Sequence, residues 1–259
     1  MKINQYFNNA DKYKQFTILI PCYNEEQTIG TVLANMISLN PARIVVVDDG
    51  SKDKSAKIIK RIQKISPVPI IYISNRINLG QGASIQNGIK YLNSNIDCRY
   101  VVTVDADNQH RRTDVLALME RALESDADFV LSQRIFKNVA FRAKVNNTLT
   151  ITASVVFFGV FLKDPFCGLR CYSKSLFNQI NFFNREEWNF SSNELYFKSK
   201  HRTCVFIPAT YTDYSRSKGI SYYRGVKMIA RLTAWKINRI LKINEIAVNN
   251  IIRNIRING

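Results

Sequence analysis

The chain has 259 residues, of which 46% are hydrophobic and 22% charged, a composition that excludes an intrinsically disordered protein. Its five cysteines are odd in number and scattered, so we expect no disulfide framework and a reducing compartment. The formal net charge of +17 leaves three kinds of partner open, namely nucleic acid, an anionic membrane and an anionic substrate.

Short apolar runs alternate with helical patterns in the first half of the chain. The apolar runs predict five strands, at 16–21, 43–48, 68–74, 99–104 and 128–132. Helical periodicity, with Asp53 as a cap, predicts helices at 26–38, 54–65, 83–92 and 113–124. Apolar strands separated by helices indicate an α/β fold with a mostly parallel sheet, covered by helices on both faces.

The pattern changes after about residue 135. Residues 151–162 form an uncharged run of twelve, which is shorter than the ~20 residues needed to span a bilayer. This run fits either a buried helix or a helix at a membrane interface.

The C-terminal segment is basic and amphipathic. Residues 214–259 contain ten lysines and arginines and a single acidic residue, Glu245. On a helical wheel of residues 222–243, apolar side chains share one arc and most basic ones the other, with Lys236 as an exception. Such a helix either lies on an anionic leaflet or packs on the rest of the protein with a solvated basic face.

Three predicted strands end in clusters of polar residues, at 21–26 (PCYNEE), 48–53 (DDGSKD) and 105–110 (DADNQH). Any one cluster could simply cap the next helix. Because the carboxyl ends of parallel strands meet at one edge, the three together predict a crevice lined by carboxylates. Such a crevice suits Mg²⁺ or Mn²⁺, which also bind phosphate oxygens.

The stretch 78–84 (NLGQGAS) follows the third predicted strand. It matches neither the dinucleotide fingerprint nor a P-loop. The pattern therefore indicates a nucleotide held by carboxylates and a metal ion, not by a glycine-rich phosphate loop.

The ordered set of these four motifs resembles family 2 glycosyltransferases with the GT-A fold, over about residues 16–225. Later positions resemble the polyprenyl-phosphate branch of that family, typified by dolichyl-phosphate mannosyltransferase. They are SQR at 132–134, DPFCGLR at 164–170, Glu194 and RSKGIS at 216–221.

The resemblance implies a domain organisation. Residues 1–221 would form the GT-A catalytic domain, with a nucleotide-sugar half at about 16–135 and an acceptor half at about 136–221. Residues 222–259 would form the basic helical segment.

The resemblance also assigns roles to single residues. Nucleotide-sugar binding is implied for Pro21, Tyr23, Glu25, Asp48, Gly80, Asp105, Arg134 and Arg216. The metal ion, Mg²⁺ or Mn²⁺, would be bound by Asp105, Asp107 and Gln109. Catalytic roles are implied for Asp107, Asp164, Glu194 and Arg216, and binding of the acceptor phosphate for Arg142 and Ser221. Each arginine could equally be a solvated surface residue.

The implied activity is inverting transfer of a hexose from a nucleotide-sugar, of the GDP-mannose or UDP-glucose type, to dolichyl or undecaprenyl phosphate. A hydroxyl acceptor would need a general base, whereas a phosphate is already an anion. Family members that act on hydroxyls often carry an acidic pair where this chain has Ser192-Asn193-Glu194-Leu195, with a single acid. Because Glu194 or Asp164 could still act as a base, a hydroxyl of a lipid-linked glycan or cell-surface polysaccharide stays open as the acceptor.

The implied location is cytoplasmic, with peripheral contact to an anionic membrane, and residues 1–15 lack the apolar core of a signal peptide. A nucleic-acid-binding protein remains the alternative of a different class, but it gives the clustered carboxylates no role. The sequence does not indicate an oligomeric state, and UDP-N-acetyl sugars remain open as donors.

Overall fold

The computed structural model describes residues 11–95, 97–134, 148, 152, 167–177 and 204–209. A short 3₁₀ turn at Lys12–Gln15 precedes the first strand. The strands are β1 (Phe16–Cys22), β2 (Arg43–Asp48), β3 (Ile70–Ser74), β4 (Tyr100–Thr103), β5 (Phe129–Arg134), β6 (Arg170–Ser173) and β7 (Cys204–Ala209). The helices are α1 (Ile29–Ile37), α2 (Ser55–Ile65), α3 (Gln81–Asn95), α4 (Arg112–Ser125) and α5 (Lys174–Phe177).

The described strands form one sheet in the order β3-β2-β1-β4-β6-β5-β7. Neighbouring strands are parallel except at β6, which runs antiparallel to both β4 and β5. The other six strands therefore point the same way, and their carboxyl ends share one edge. The predicted α/β fold with a mostly parallel sheet is confirmed.

Alternate residues of β1 face opposite sides of the sheet, as the strand period of two requires. Phe16, Ile18 and Ile20 belong to one buried cluster with the apolar residues of α1 and α4. On the other side, α3 packs closely on β1, because a β-carbon at Gly88 would collide with Leu19. The central strand is therefore covered on both faces, which explains why its sequence is apolar throughout.

All five predicted strands and four predicted helices are present, with ends shifted by at most three residues. Helix α1 begins three residues later than predicted because Glu25 to Thr28 form a turn, in which the carbonyl of Glu25 accepts hydrogen bonds from Thr28 and Ile29. Asp53 was predicted to cap α2, but the helix begins at Ser55 and its N-cap is Lys54, which makes no side-chain cap hydrogen bond. Asp53 lies one residue earlier and accepts a 2.9 Å hydrogen bond from the backbone N–H of Ser55.

The chain divides into two compact units, Met1–Lys137 with Phe166–Tyr214, and Asn138–Pro165 with Ser215–Gly259. All of the strands and helices named above belong to the first unit. The predicted boundary at residues 221 and 222 lies outside the described residues and stays a prediction. No helix in the described part of the chain is both long and apolar enough to cross a membrane.

Candidate functional site

The loops that follow β1 and β2 are tied together by hydrogen bonds between side chains and backbone. The N–H of Asn24 donates to Ser51 Oγ at 3.0 Å, and Asn24 Oδ1 accepts from the N–H of Lys52 at 2.8 Å. The N–H of Glu26 donates to Asp53 at 3.0 Å. Asn24 has a φ of 53°, a left-handed conformation that asparagine tolerates better than most residues. Two of the three predicted polar clusters are therefore neighbours in space.

Asp48, at the end of β2, is buried and uses both carboxylate oxygens. The hydroxyl of Tyr72 donates to Oδ2 at 2.6 Å, and the N–H of Ser51 donates to Oδ1 at 3.0 Å. Burial and the hydrogen bond to this carboxylate raise the pKa of Tyr72 to about 12, so the tyrosine remains a donor at neutral pH. Asp48 is thus held rigidly, and its contact with a nucleotide stays a prediction.

Asp49 was not predicted as a site residue, yet it organises the loop before α3. Its Oδ1 accepts hydrogen bonds from the Asn75 amide at 2.7 Å and the Leu79 N–H at 3.0 Å. Its Oδ2 accepts from the N–H of Gly80 at 2.7 Å. The Asp49 carboxylate is only 3% exposed, and these three hydrogen bonds give both of its buried oxygens a partner. The paired aspartates of DDGS were the only sequence signal for this role.

Two glycines shape the loops that follow β2 and β3. Gly80, predicted to bind the nucleotide-sugar, has a φ of 91°, and a β-carbon there would meet nothing within 4 Å. Gly50 has a φ of 71°, and a β-carbon there would lie 2.8 Å from the carbonyl carbon of Ile77. Gly50 thus allows the two loops to pack, whereas Gly80 leaves open space at its α-carbon.

Asp105 lies two residues after the end of β4 and is contacted from three sides. Gln81 Nε2, at the start of α3, donates to its Oδ1 at 2.8 Å. Nε2 of the buried His110 lies 3.1 Å from its Oδ2. A β-carbon at Gly168 would collide with Oδ2 and lie 2.7 Å from Oδ1. Gln81, His110 and Gly168 lie within motifs quoted from the sequence, but none was predicted as a site residue.

The backbone around Gly168 is fixed by its neighbours. Thr103 Oγ1, at the end of β4, donates to the carbonyl of Gly168 at 2.7 Å. The Arg170 side chain is fully buried, and its Nε donates to the carbonyl of Cys167 at 2.7 Å. These contacts hold the start of β6 against the carboxylate of Asp105.

Asp107 lies two residues further on, where its Oδ1 accepts a 3.1 Å hydrogen bond from the N–H of Gln109. Burial and the negative charge of Asp105 raise the pKa of Asp107 to about 6, and the charge of Glu25 adds to the effect. Carboxylates from the ends of β1 and β4 therefore repel one another. A cation at this edge would relieve that repulsion.

The side chains after β4 supply some of the oxygen ligands that a hard divalent cation needs. Asp107, Asp105 and the amide of Gln109 offer oxygen atoms, the ligands that Mg²⁺ and Mn²⁺ prefer. Among the described residues, no group of three or more His, Cys, Asp or Glu side chains could hold a metal ion. Because Mg²⁺ usually keeps waters and binds substrate phosphates, a few protein oxygens are enough at such a site.

The remaining predicted residues are placed as follows. Pro21 pairs with Val47 within the sheet, and the Tyr23 side chain is partly exposed just beyond β1. Oε2 of Glu25 accepts a 3.0 Å hydrogen bond from Thr28 Oγ1. Arg134 is the last residue of β5, and the structure describes its backbone alone. Five predicted residues lie outside the described part of the chain: Arg142, Asp164, Glu194, Arg216 and Ser221.

Comparison with solved structures gives the fold. The chain resembles glucosyl-3-phosphoglycerate synthase of Mycobacterium tuberculosis with a TM-score of 0.64 and 16% sequence identity, covering 91% of this chain and 83% of the synthase. A crystal structure of that synthase with Mn²⁺, uridine diphosphate and glucosyl-3-phosphoglycerate gives a TM-score of 0.62 at 15% identity, covering 89% of this chain and 81% of the synthase.

Comparison with sequences gives the family. The chain is 29% identical over 248 residues to a UDP-N-acetylglucosamine--dolichyl-phosphate N-acetylglucosaminyltransferase of Methanococcus voltae, covering 88% of this chain and 98% of that relative. It is 28% identical over 177 residues to an undecaprenyl-phosphate 4-deoxy-4-formamido-L-arabinose transferase of Photorhabdus laumondii, covering 64% of this chain and 51% of that relative. The sequence model of Glycosyl transferase family 2 matches residues 17–203. With this match and the sheet described above, the chain belongs to glycosyl transferase family 2 and is a glycosyltransferase of the GT-A fold.

Proposed function

We propose that the chain transfers a sugar from a nucleotide-sugar to a polyprenyl phosphate. The observation that carries this proposal is the similarity to a transferase named for a dolichyl-phosphate acceptor, which extends over 98% of that relative. A second relative is named for an undecaprenyl-phosphate acceptor. Two lipids of the same chemical class thus occur among the acceptors in the relatives' names.

On the donor side, the nucleotide-sugar would bind at the edge where β1, β2 and β4 end. Pro21, Tyr23 and Glu25 would line the nucleotide pocket, with Asp48 near the base. Asp105 would contact the ribose or the cation. The donor would be of the GDP-mannose or UDP-glucose type, and UDP-N-acetylglucosamine joins these candidates through the name of the archaeal relative.

A divalent cation would be held by Asp107 and Gln109, with Asp105 beside it. Support comes from the pKa of Asp107, raised to about 6 by burial and neighbouring charge, because an adjacent cation would stabilise the ionised form. When bound, Mg²⁺ or Mn²⁺ supplies positive charge against the developing charge of the departing diphosphate. The Mycobacterium synthase was crystallised with either metal ion, which keeps both as candidates.

On the acceptor side, an oxygen of the lipid phosphate would attack the anomeric carbon opposite the nucleotide, with inversion. A phosphate oxygen is already anionic, so no strong base is required. Arg134, Arg142, Arg216 and Ser221 would face the phosphates of donor or acceptor. In the alternative, transfer to a glycan hydroxyl, Asp164 or Glu194 would act as the base.

Peripheral association with the cytoplasmic membrane face is part of the proposal. The basic segment at 222–259 would contact anionic lipid. Each lysine or arginine near the membrane surface would contribute ~1 kcal/mol of binding free energy. Replacing Arg224, Lys227 and Arg231 together by glutamate should reduce flotation with anionic liposomes while leaving nucleotide binding intact. Undiminished flotation would count against an interfacial role.

The deciding experiment is a transfer assay with radiolabelled nucleotide-sugars and Mn²⁺ or Mg²⁺. The donors are GDP-mannose, UDP-glucose and UDP-N-acetylglucosamine, and the acceptors are dolichyl phosphate, undecaprenyl phosphate and a glycan-bearing lipid. We expect label to enter the organic phase with a bare polyprenyl phosphate. Labelling of the glycan-bearing lipid alone would refute the proposal in favour of a hydroxyl acceptor.

A further inference from the structure

We propose that Gln81 is a positioning residue that fixes the carboxylate of Asp105 for binding of the cation with its nucleotide, and that Asp49 holds Gln81 in place. Residues 78–81, which lead from the loop after β3 into α3, are called the strap. The inference rests on the proposed function, because it assigns the strap a role in cation-dependent binding of a nucleotide.

Gln81 contacts Asp105 from the open side of the site. Its side chain is exposed, yet Nε2 donates a 2.8 Å hydrogen bond to Oδ1 of a carboxylate that is 27% exposed. The other oxygen of Asp105 faces the buried His110, and Gly168 packs on the carboxylate. Gln81 is therefore the solvent-facing member of the set that fixes the orientation of Asp105.

Asp49, in the loop after β2, holds the backbone of the strap. The two consecutive N–H groups of Leu79 and Gly80 donate to its two oxygens, at 3.0 and 2.7 Å. Gly80 has a φ of 91°, and α3 starts at the next residue, Gln81. Because Asp49 is buried, these bonds have little competition from water and fix where α3 begins.

Asn75 adds a second tie between the same elements. Its amide donates to Asp49 at 2.7 Å and to Ser84 Oγ at 3.3 Å, while its Oδ1 accepts from Asn87 at 2.7 Å. Ser84 and Asn87 lie in the first two turns of α3. A polar network thus runs from the end of β2, through the strap and α3, to the carboxylate after β4.

The chemistry of Gln81 suits a cation site. A neutral amide donor holds the carboxylate of Asp105 in place without adding a positive charge that would compete with a metal ion. Asp105 and Asp107 repel each other, so an unanchored Asp105 would turn away from its neighbour. A fixed Asp105 keeps both carboxylates at the edge where the cation is proposed to bind, so the site is organised before binding.

The test compares Gln81→Met, which keeps the length of the side chain but removes the donor, with Gln81→Glu, which places an acceptor against Asp105. The matched control is Gln63→Met, because Gln63 Nε2 also donates a 2.8 Å hydrogen bond, to the carbonyl of Ile70 at the amino end of β3. Mn²⁺ affinity is measured by electron paramagnetic resonance with UDP or GDP, nucleotide affinity by calorimetry in EDTA, and kcat and KM in the transfer assay.

We expect Gln81→Met to weaken Mn²⁺ binding about tenfold, the scale of one hydrogen bond to a charged group, and to lower kcat. Gln81→Glu should weaken Mn²⁺ binding further, while nucleotide affinity in EDTA and the melting temperature stay near those of Gln63→Met. Mn²⁺ affinity and kcat within twofold of the control in both Gln81 variants would overturn the proposal.

A double-mutant cycle tests the coupling to Asp49. If Asp49 acts through Gln81, Asp49→Asn and Gln81→Met together should weaken Mn²⁺ binding no more than the larger single effect. Additive losses would overturn the coupling. Failure of the proposed function would give a different result, which is visible in the wild-type protein. The wild type would then bind Mn²⁺ no better with UDP or GDP than without a nucleotide, and the role assigned to the strap would be refuted as well.

Discussion

The α-carbon of Gly168 lies against the carboxylate of Asp105, so that a β-carbon at residue 168 would collide with Oδ2 and lie 2.7 Å from Oδ1. The two residues are 63 positions apart and meet because β6 pairs with β4. A glycine is needed here for close approach and not for a left-handed backbone. The start of β6 therefore forms one wall of the site around Asp105.

Replacing Gly168 by alanine should impair activity more than stability. The nearest atoms belong to a short side chain that can rotate, so Asp105 would turn away and lose its hydrogen bonds to Gln81 and His110. We expect a loss of transfer of at least about tenfold, with a stability cost of ~1 kcal/mol. Initial rates and urea denaturation of the same preparation measure both. An alanine variant with full activity would show that the orientation of Asp105 is unimportant.

Gly50 and Gly80 offer a matched pair of alanine substitutions. Both have positive φ, which costs an alanine ~1–2 kcal/mol. At Gly50 the new β-carbon would also lie 2.8 Å from the backbone of Ile77, whereas at Gly80 it would meet open space. We therefore expect Gly50→Ala to lower the free energy of unfolding clearly more than Gly80→Ala, as measured by urea denaturation. Equal losses would mean that the loop around Ile77 moves aside freely.

How far the sequence predicts the fold depends on the range of the contacts involved. The ends of β2 at Arg43 and Asp48 match the prediction, because a continuous apolar run between polar residues is a local signal. Strand β6 was not predicted, since Arg170–Ser173 has only four residues and gains its conformation by inserting antiparallel between β4 and β5. Such pairing leaves no periodicity in the segment itself.

In the candidate site, too, the sequence predicts local features but not contacts between distant segments. The sequence placed the carboxylates of Asp48, Asp105 and Asp107 at one edge of the sheet, and the parallel strands bring them there. It did not distinguish Asp48 from Asp49, although the first contacts Tyr72 and the second the strap. Neighbours at a strand end point to opposite sides, so their partners depend on which loops cover each side.

Removing the hydroxyl of Tyr72 should loosen Asp48. A hydrogen bond to a charged group contributes ~1.5–3 kcal/mol, so Tyr72→Phe should lower the free energy of unfolding by roughly that amount. If Asp48 contacts the nucleotide base, the affinity for the matching nucleoside diphosphate should fall as well, as calorimetry would reveal. Tyr91→Phe is the control, because the Tyr91 hydroxyl makes no hydrogen bond to the described residues. A loss of stability without a loss of affinity would separate Asp48 from nucleotide binding.

Asp107→Asn should abolish most transfer while leaving the fold intact. The substitution removes a proposed cation ligand, and the loss of several kcal/mol of charge stabilisation corresponds to roughly a 10²–10³-fold lower rate. The control is Asp97→Asn, an exposed acid in the loop before β4. Turnover of Asp107→Asn equal to that of the control would refute the metal assignment.

The raised pKa of Asp107 also predicts how the stability of the metal-free protein depends on pH. Its pKa rises from 3.8 to about 6 on folding, so between these values the folded state binds more protons than the unfolded state. The contribution of this group is therefore fully present below about pH 4 and is lost as the pH rises through 6. Asparagine resembles the protonated acid and does not titrate. In EDTA, wild type and Asp107→Asn should have similar stability near pH 4, and the variant should be more stable at pH 7, by on the order of 1–3 kcal/mol. Urea denaturation from pH 4 to pH 8 measures this difference, and a gap that does not change with pH would show that Asp107 titrates normally.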